Sequence, residues 1–392
     1  MDKTINFKSV LLPEKRVDLH KWAVIACDQF TSTPKYWRRL EELIAGSYSA
    51  GHIIFPEIYL SADNSARIEA INGTMKRYMD EGVFQEYGDC AILTRRSTKY
   101  NAQRLGLVLS VDLEKYSYIQ ADKPLIRASE ETILSRIPPR VKIRENAPVE
   151  LPHIMLLTDD RNRSVIEPLY KKYKAAAPVY DFDLNMDGGH ITGWAVRENG
   201  FIEDALEALL KPKILEAKYG AEDRLLFAVG DGNHSLATAK TVWNNIKQSL
   251  SKAEAEAHPA RYALVEIVNI YDEGIKFEPI HRVVTGVDRA DFIKNLPRPT
   301  ADAVSSVSEI QHYIDLYISE KGGEVDYIHG ADEVRSIVKE NEARGAAGII
   351  MPPMKKEDFF NYIVNKGTLP KKTFSMGEGI EKRYYLEARN IR

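Results

Sequence analysis

Acidic, amide, imidazole and hydroxyl side chains are crowded into one glycine-rich stretch in the second half of the chain. It reads Leu225-Leu-Phe-Ala-Val-Gly-Asp-Gly-Asn-His-Ser-Leu236. Leu225 to Val229 form a continuous apolar run, which predicts a short buried strand. From Ser235 onward, apolar residues recur at three- and four-residue steps, as on an amphipathic helix. The pattern therefore predicts a strand, a glycine-rich turn and a helix.

Such a turn favours an anion, because the first N–H groups of a helix lack intrahelical partners. We expect phosphate to be bound here by Gly230, Gly232, Asn233 and Ser235. Asp231 could hold a metal ion, and the His234 imidazole could contact a phosphate or transfer a proton. An ordinary tight turn with Asn233 or Ser235 as the N-cap would explain the same residues without any function.

A polar segment from Pro124 to Pro148 carries both signs of charge, which a solvated helix would also explain. It leads into the apolar run from Pro152 to Thr158, a probable core strand that ends in Asp159-Asp160. Paired acids at the end of a core strand are where open α/β sheets place ligand chemistry. A turn into a helix from about Ser164 to Tyr173 explains these acids equally well.

His281 and Arg282 form a second polar pair between apolar neighbours. A solvent-facing edge strand would explain the pair. A phosphate contact would also explain it, because the arginine fork matches phosphate oxygens.

Composition excludes several classes of protein. With 392 residues, 44% hydrophobic residues, 28% charged residues and a net charge of −3, the chain resembles an ordinary globular protein with no pull toward nucleic acid. Cys27 and Cys90 match no zinc or redox spacing, and we expect free thiols. The first residues from Met1 lack the basic start and apolar run typical of a signal peptide, and no apolar run reaches the roughly 18 residues that a membrane helix needs. We expect a cytoplasmic protein without a membrane or nucleic-acid partner.

Strand-like and helix-like segments alternate along the chain, which predicts an α/β fold with mixed sheets. Residues 91–94 and 105–113 are expected to form adjacent antiparallel strands, and His52–Tyr59 another strand. One helix, kinked at Pro212, is expected from Ile202 to Tyr219. We expect three regions: an N-terminal α/β region (1–120), a phosphate-binding core (121–290) and a C-terminal α/β region (291–392).

Several stretches, in the same order along the chain, resemble the DUF1015 family of bacterial and archaeal proteins. The family's Asp-Gly-His-His-Arg turn resembles Asp231-Gly-Asn-His-Ser235, and its Arg-x-His-Glu-x-Thr block resembles Arg127-Ala-Ser-Glu-Glu-Thr132. Its acidic strand end is similar to residues 154–160, its Pro-x-His-Arg strand to residues 279–282, and a late Pro-x-Lys stretch to residues 370–374. The sequence departs from the signature at Asn233, Ser235 and Ser129.

The resemblance implies a ParB/sulfiredoxin-like core with additional α/β elements at both ends. The family's turn is similar to that of free-serine kinases, so the resemblance implies phosphoryl transfer to the hydroxyl of L-serine, a reaction of serine metabolism. ATP, ADP or another phosphate donor would be the co-substrate, with Mg²⁺ held by Asp231 and Asp160. We expect Glu130, or Glu131, as the base. The remaining expected site residues are Asp231 and His234 in catalysis, and Arg127, Arg140, His281 and Arg282 around the phosphates.

Two other functions remain open from the residues. A non-catalytic nucleotide-binding regulatory protein would use the same turn, and its discriminating feature would be a basic face or a helix-turn-helix. A metal-dependent phosphohydrolase would use Asp231, His234 and Asp160.

Overall fold

The strands and helices are those of a computed structural model that describes residues 3–61, 63–220 and 223–392. The strands are β1 (Ile5–Asn6), β2 (Val10–Pro13), β3 (Val24–Ile25), β4 (Phe84–Tyr87), β5 (Ala91–Ser97), β6 (Arg104–Asp112), β7 (Tyr116–Ser117), β8 (Ile126–Arg127), β9 (Val149–Glu150), β10 (Met155–Thr158), β11 (Tyr180–Leu184), β12 (Gly189–Val196), β13 (Phe227–Asp231), β14 (Tyr262–Asn269), β15 (Phe277–Thr285), β16 (Glu324–His329), β17 (Ala347–Ile349), β18 (Phe374–Met376), β19 (Tyr384–Tyr385) and β20 (Arg389–Asn390). The α-helices are α1 (Leu19–Trp22), α2 (Pro34–Ile44), α3 (Ser65–Asp80), α4 (Ile137–Arg144), α5 (Ile166–Tyr173), α6 (Asn199–Leu209), α7 (Pro212–Tyr219), α8 (Asn233–Lys247), α9 (Lys252–Ala257), α10 (Arg289–Lys294), α11 (Ala303–Lys321), α12 (Ala331–Glu340) and α13 (Phe359–Lys366).

The chain forms two compact units. The first comprises Met1–Ile275 and Gly379–Arg392, and the second Lys276–Glu378. The expected boundary at residue 120 therefore falls inside the first unit, and the expected boundary at residue 290 falls inside the second.

A large mixed sheet organises the first unit. Its strand order is β11-β12-β5-β6-β14-β10-β13-β8-β7, with β1 also paired to β6. Strands β5 and β6 are adjacent and antiparallel, as expected, whereas β10 runs parallel to β14 and antiparallel to β13. The expected α/β fold with mixed sheets is confirmed.

Both faces of strand β6, in the middle of this sheet, are buried. All nine residues of β6 are buried. Leu107 and Leu109 belong to one apolar cluster, while the intervening Val108 belongs to another. Helix α8 contributes Leu236 and Trp243 to the cluster that contains Leu107. Burial on two faces explains why the strands read as continuous apolar runs rather than as alternating patterns.

Two local expectations are wrong, and proline explains both. The expected strand from His52 to Tyr59 is absent, and short 3₁₀ turns occur at Ala50–His52 and Glu57–Tyr59. Pro56 lies between them and has no N–H group for a sheet ladder. The expected single kinked helix is instead α6 and α7, because Pro212 occupies the first position of a new helix.

In the second unit, β15 is the central strand. It pairs with β16 and β17 along its second half and with β18 at its start. Helix α11 buries Val307, Ile310 and Ile314 in the same cluster as Val284 of β15. Spacing of three and four residues places these side chains on one helix face.

No helix in the described ranges has the length and apolar character needed to cross a bilayer. Cys27 and Cys90 are free, as expected.

Candidate phosphate-binding site

Gly232 is the single residue between a strand and the helix that follows it. Strand β13 ends at Asp231, Gly232 has φ 83°, and α8 begins at Asn233. A Cβ atom on Gly232 would lie 3.0 Å from the Cα of Ile154 and 3.1 Å from its Cγ1. Both the left-handed backbone and the close approach to Ile154 therefore require glycine.

Gly230 serves a different purpose. In the antiparallel pairing of β13 with β10, Met155 is opposite Asp231 and Leu156 is opposite Val229. Gly230 is thus the additional residue of a β-bulge. A bulge bends its strand and changes the direction of the side chains beside it, here that of Asp231.

Asp231 is held by two donors. Its Oδ1 accepts the N–H of Gly232 at 2.9 Å, and its Oδ2 lies 3.2 Å from the Nζ of Lys382. The lysine is buried and the aspartate half-buried. The turn therefore contains a carboxylate and an ammonium group in contact.

The start of α8 has no side-chain cap. Gly232 is the N-cap, and the N–H of Leu236 donates to its carbonyl at 3.0 Å. The amides of the first turn precede that bond and have no intrahelical acceptor. Together with the helix dipole, they make this end favourable for an anion.

The segment carrying Glu130 contacts this turn directly. The N–H of Ser129 donates to Oδ1 of Asn233 at 3.3 Å, and Nδ2 of Asn233 donates to Oγ of Ser129 at 3.3 Å. The N–H of Ile133 donates to Nε2 of His234 at 3.2 Å. Glu130 lies between these two anchor points and is half-buried, whereas Glu131 is exposed. The structure thus brings the Glu130 segment to the helix start.

A chain of hydrogen bonds continues from Ser235 into the interior. Its Oγ lies 3.1 Å from Nε2 of His153, and Nδ1 of His153 lies 2.8 Å from the Tyr385 hydroxyl. The N–H of Cys27 donates to the same hydroxyl at 3.1 Å. Ser235 therefore does not cap α8, and its hydroxyl faces a buried imidazole.

Asp28 adds a negative charge near this chain. Burial raises the pKa of its carboxyl, but His153, a hydrogen bond from Gln29 and Lys382 outweigh burial and hold that pKa below its usual range. A carboxylate, an imidazole and a lysine thus influence one another beside the turn.

Ser235 and His153 also line a cavity of about 150 Å³. Its other polar lining includes Cys27, Thr238 and Tyr385. The apolar wall includes Ile53, Ile54, Phe55, Leu60, Met75 and Ile143. The cavity is large enough for a group of about benzene size.

Arg127 and Arg140 are already paired with carboxylates. The Arg127 guanidinium contacts both oxygens of Asp223, and its Nε donates to the Pro124 carbonyl at 3.1 Å. Arg140 pairs with Glu57 and lines the cavity. Neither cation is available to a phosphate without exchanging its partner.

Asp160 does not share a site with Asp231. It accepts hydrogen bonds from the N–H of Ser164 at 2.6 Å and of Val165 at 2.9 Å, in the turn that leads into α5. Asp231 pairs with Met155 at the opposite end of β10. Asp231 and Asp160 therefore lie at opposite ends of β10, and the expectation that they hold one metal ion together is wrong. Within the described parts of the chain, no group of three or more His, Cys, Asp or Glu side chains could hold a metal ion.

His281 and Arg282 lie on β15 in the second unit, whereas the turn belongs to the first. Arg282 is fully buried; it donates to the Ile280 carbonyl, and its Nε donates to Gln311 at 3.3 Å. Nδ1 of His281 accepts the N–H of Met351 at 3.0 Å. Burial and the neighbouring Arg282 lower the pKa of His281. Both side chains have structural partners inside their own unit.

Sequence reasoning missed Asp28, His153, Lys382 and Tyr385. Asp28 follows a short apolar run, and His153 precedes an expected strand, so both had a weak local signal. Lys382 and Tyr385 had none, because they reach the site only through the return of the chain to the first unit after residue 378.

These features define an α/β protein with a glycine-containing turn between a strand and a helix, whose first amides suit an anion. The family model "Protein of unknown function (DUF1015)" matches residues 5–385. The chain belongs to the DUF1015 family, as its motifs indicated.

Three solved structures are similar to the chain at low levels. A free serine kinase in complex with AMP is 10% identical, with a TM-score of 0.37 over 73% of this chain and 91% of that one. A mutant of a free serine kinase in complex with ADP is also 10% identical, with a TM-score of 0.37 over 73% of this chain and 92% of that one. A conserved hypothetical protein from Pyrococcus furiosus is 10% identical, with a TM-score of 0.35 over 73% of this chain and 95% of that one. Similarity at these TM-scores carries no functional argument. No curated protein matches the chain.

Proposed function

We propose that this protein is a cytoplasmic small-molecule kinase of serine metabolism. It transfers a phosphoryl group from a nucleotide to the hydroxyl of free L-serine. The observation that carries the proposal is the contact between the uncapped start of α8 and the segment of Glu130, through Asn233 and His234. Phosphoryl transfer needs placement of the phosphates, neutralisation of their charge and a base near the attacking hydroxyl.

The turn supplies the placement. The backbone from Gly230 to Asn233 positions the first amides of α8, whose N–H groups suit phosphate oxygens. His234 is oriented by the N–H of Ile133, which donates to its Nε2. The proposed role of this imidazole is a contact with the phosphates.

Lys382 supplies positive charge at the turn. The family signature has Arg at the position of Ser235, and this chain places a buried lysine within 3.2 Å of Asp231. Arg127 and Arg140 contribute after exchanging Asp223 and Glu57 for phosphate oxygens. Arg282 belongs to the core of the second unit and is not needed for this role.

Mg²⁺ would be held by Asp231 alone, after this carboxylate exchanges its contact with Lys382 for the ion. Mg²⁺ commonly uses one or two carboxylates, with substrate phosphates and waters as the remaining ligands. Bound there with a nucleotide, it would neutralise charge on the transferring group.

Glu130 is the proposed base for the serine hydroxyl. It is half-buried between Ser129 and Ile133, both of which contact the turn, whereas Glu131 is exposed. A carboxylate near the transferred phosphoryl group is placed to accept the hydroxyl proton.

The test is an assay for phosphoserine with purified protein, L-serine, Mg²⁺ and one donor at a time: ATP, ADP or pyrophosphate. We expect product with a nucleotide. The Glu130→Gln variant should lose about 100-fold or more in rate, and the matched Glu131→Gln variant should retain activity. Absence of phosphoserine with every donor contradicts the kinase. Release of phosphate without phosphoserine indicates the phosphohydrolase instead, and nucleotide binding without turnover indicates the regulatory protein.

A further inference from the structure

Ser235 and His153 form a hydroxyl–imidazole pair of the kind that activates a nucleophile. Ser235 Oγ lies 3.1 Å from His153 Nε2, and both residues line the same cavity. A serine hydroxyl becomes nucleophilic when an adjacent base accepts its proton and a third group orients that base. Here Tyr385, 2.8 Å from His153 Nδ1, is the third group.

The hydrogen bond between Tyr385 and Nδ1 of His153 is compatible with the tautomer that a base requires. The Tyr385 hydroxyl oxygen accepts the N–H of Cys27 at 3.1 Å. Nδ1 of His153 lies 2.8 Å from the same oxygen, which can accept Nδ1–H. Nε2 is then left with a lone pair toward Ser235.

The position of Ser235 in the first turn of α8 also suits a phosphorylated side chain. A phosphoryl group near a helix N-terminus is stabilised by the unpaired amides and by the dipole.

We propose that Ser235 accepts the phosphoryl group from the nucleotide and passes it to the acceptor alcohol, with His153 as its base. This inference rests on the proposed kinase function and deepens it. In the first half-reaction, Ser235 Oγ forms a bond to the γ-phosphorus of ATP, the bond to the bridging oxygen breaks, ADP leaves, and the proton moves to Nε2 of His153. In the second, the acceptor oxygen forms a bond to phosphorus and the bond to Oγ breaks. His153 then returns its proton to Oγ, and Glu130 accepts the proton of the acceptor hydroxyl.

The experiment uses full-length protein with Mg²⁺ and ATP labelled at the γ-phosphate, without any acceptor. Intact-mass and peptide analysis should find one phosphoryl group at Ser235, and addition of L-serine should transfer the label to free phosphoserine. Ser235→Ala should lose the label, and His153→Gln should slow labelling by about 100-fold. Thr241→Ala is the matched control, because it removes a hydroxyl of α8 that donates to the Ala237 carbonyl of the same helix.

A second readout does not depend on trapping the intermediate. Exchange of label between ADP and ATP without serine should occur in the native protein and be lost in Ser235→Ala. Phosphoserine formation by Ser235→Ala at the native rate, with no label on the native protein, overturns the intermediate and leaves the kinase standing. Labelled Ser235 without transfer to serine supports the intermediate and overturns serine as the acceptor.

Discussion

Two regions carry polar residues that the sequence marks as phosphate contacts, the turn around Gly232 and the His281–Arg282 pair on β15. At the turn, residues 231–235 are all half-buried, and the helix start lacks a side-chain cap. On β15, Arg282 has an exposure of 0%. Its donors reach the oxygens of Ile280 and Gln311. The turn therefore presents hydrogen-bond donors at a partly exposed surface, whereas the donors of Arg282 are used by oxygen atoms within its own unit.

The difference shows that a polar pair within an apolar strand can be structural rather than a ligand contact. A buried guanidinium is costly unless its N–H groups find acceptors, and carbonyl oxygens of the same unit supply them here. Sequence alone does not distinguish such an anchor from a ligand contact. The partners of each donor do: those of Arg282 lie within its own unit, whereas the start of α8 has no side-chain cap.

The largest expected effect is on stability, at the buried arginine. Arg282→Met should lower the free energy of unfolding by about 2–4 kcal/mol, because carbonyl and amide oxygens lose a charged donor inside the core. Arg335→Met, on exposed α12 of the same unit, should change it by less than about 0.5 kcal/mol. Urea unfolding measures both variants. Equal effects would show that Arg282 is not an anchor.

At the turn, Gly232→Ala should lower the free energy of unfolding by about 2 kcal/mol and weaken ADP binding at least tenfold. The substitution forces a left-handed alanine and a contact with Ile154. Gly46→Ala is the matched control, because Gly46 has φ +70° but nothing within 4 Å of the added atom. Gly46→Ala should lower the free energy of unfolding only by the strain of a left-handed alanine, and it should bind ADP with the native affinity. Thermal unfolding and calorimetric titration test the pair, and unchanged ADP binding by Gly232→Ala would contradict the assignment.

The third expected effect is on ADP affinity, through the positive charge of Lys382 at the turn. Lys382→Met should weaken ADP binding about tenfold, or about 1.4 kcal/mol, because it removes the cation beside Asp231. Lys252→Met, whose side chain is 91% exposed, serves as the control. Titration calorimetry at two salt concentrations measures the effect. Identical affinities for the two variants would remove Lys382 from the site.

The smallest effect is expected at His190 on β12, a partly exposed group outside both regions. Burial lowers its pKa, but hydrogen bonds to Asp183 and Asp181 outweigh burial and raise it. A raised folded-state pKa stabilises the fold fully below the unfolded value of about 6.5, and this contribution is lost as pH rises through the folded value. Relative to His190→Gln, the native protein should gain a few tenths of a kcal/mol at low pH only, because solvent screens the pair. NMR titration of the ring should locate the transition, and a pKa at or below the ordinary histidine value would contradict this sign.

Sequence reasoning predicted the turn because its information is local. An apolar run, Gly232 and helical spacing from Ser235 are adjacent in the chain, and each restricts the backbone directly. The position of Glu130 near the turn was anticipated only through the family resemblance. His153 and Tyr385, separated from Ser235 by 82 and 150 residues, meet it through tertiary packing that no periodic pattern encodes. Asp160 was misassigned for the related reason that strand direction, which places it far from Asp231, depends on the sheet order.

The most direct test of the central claim is a crystal structure of the protein with Mg²⁺ and ADP. The account predicts the phosphates at the first amides of α8, beside Asp231 and Lys382, with Glu130 facing the same space. Phosphates bound elsewhere in the first unit, or beside Arg282 in the second, would contradict it.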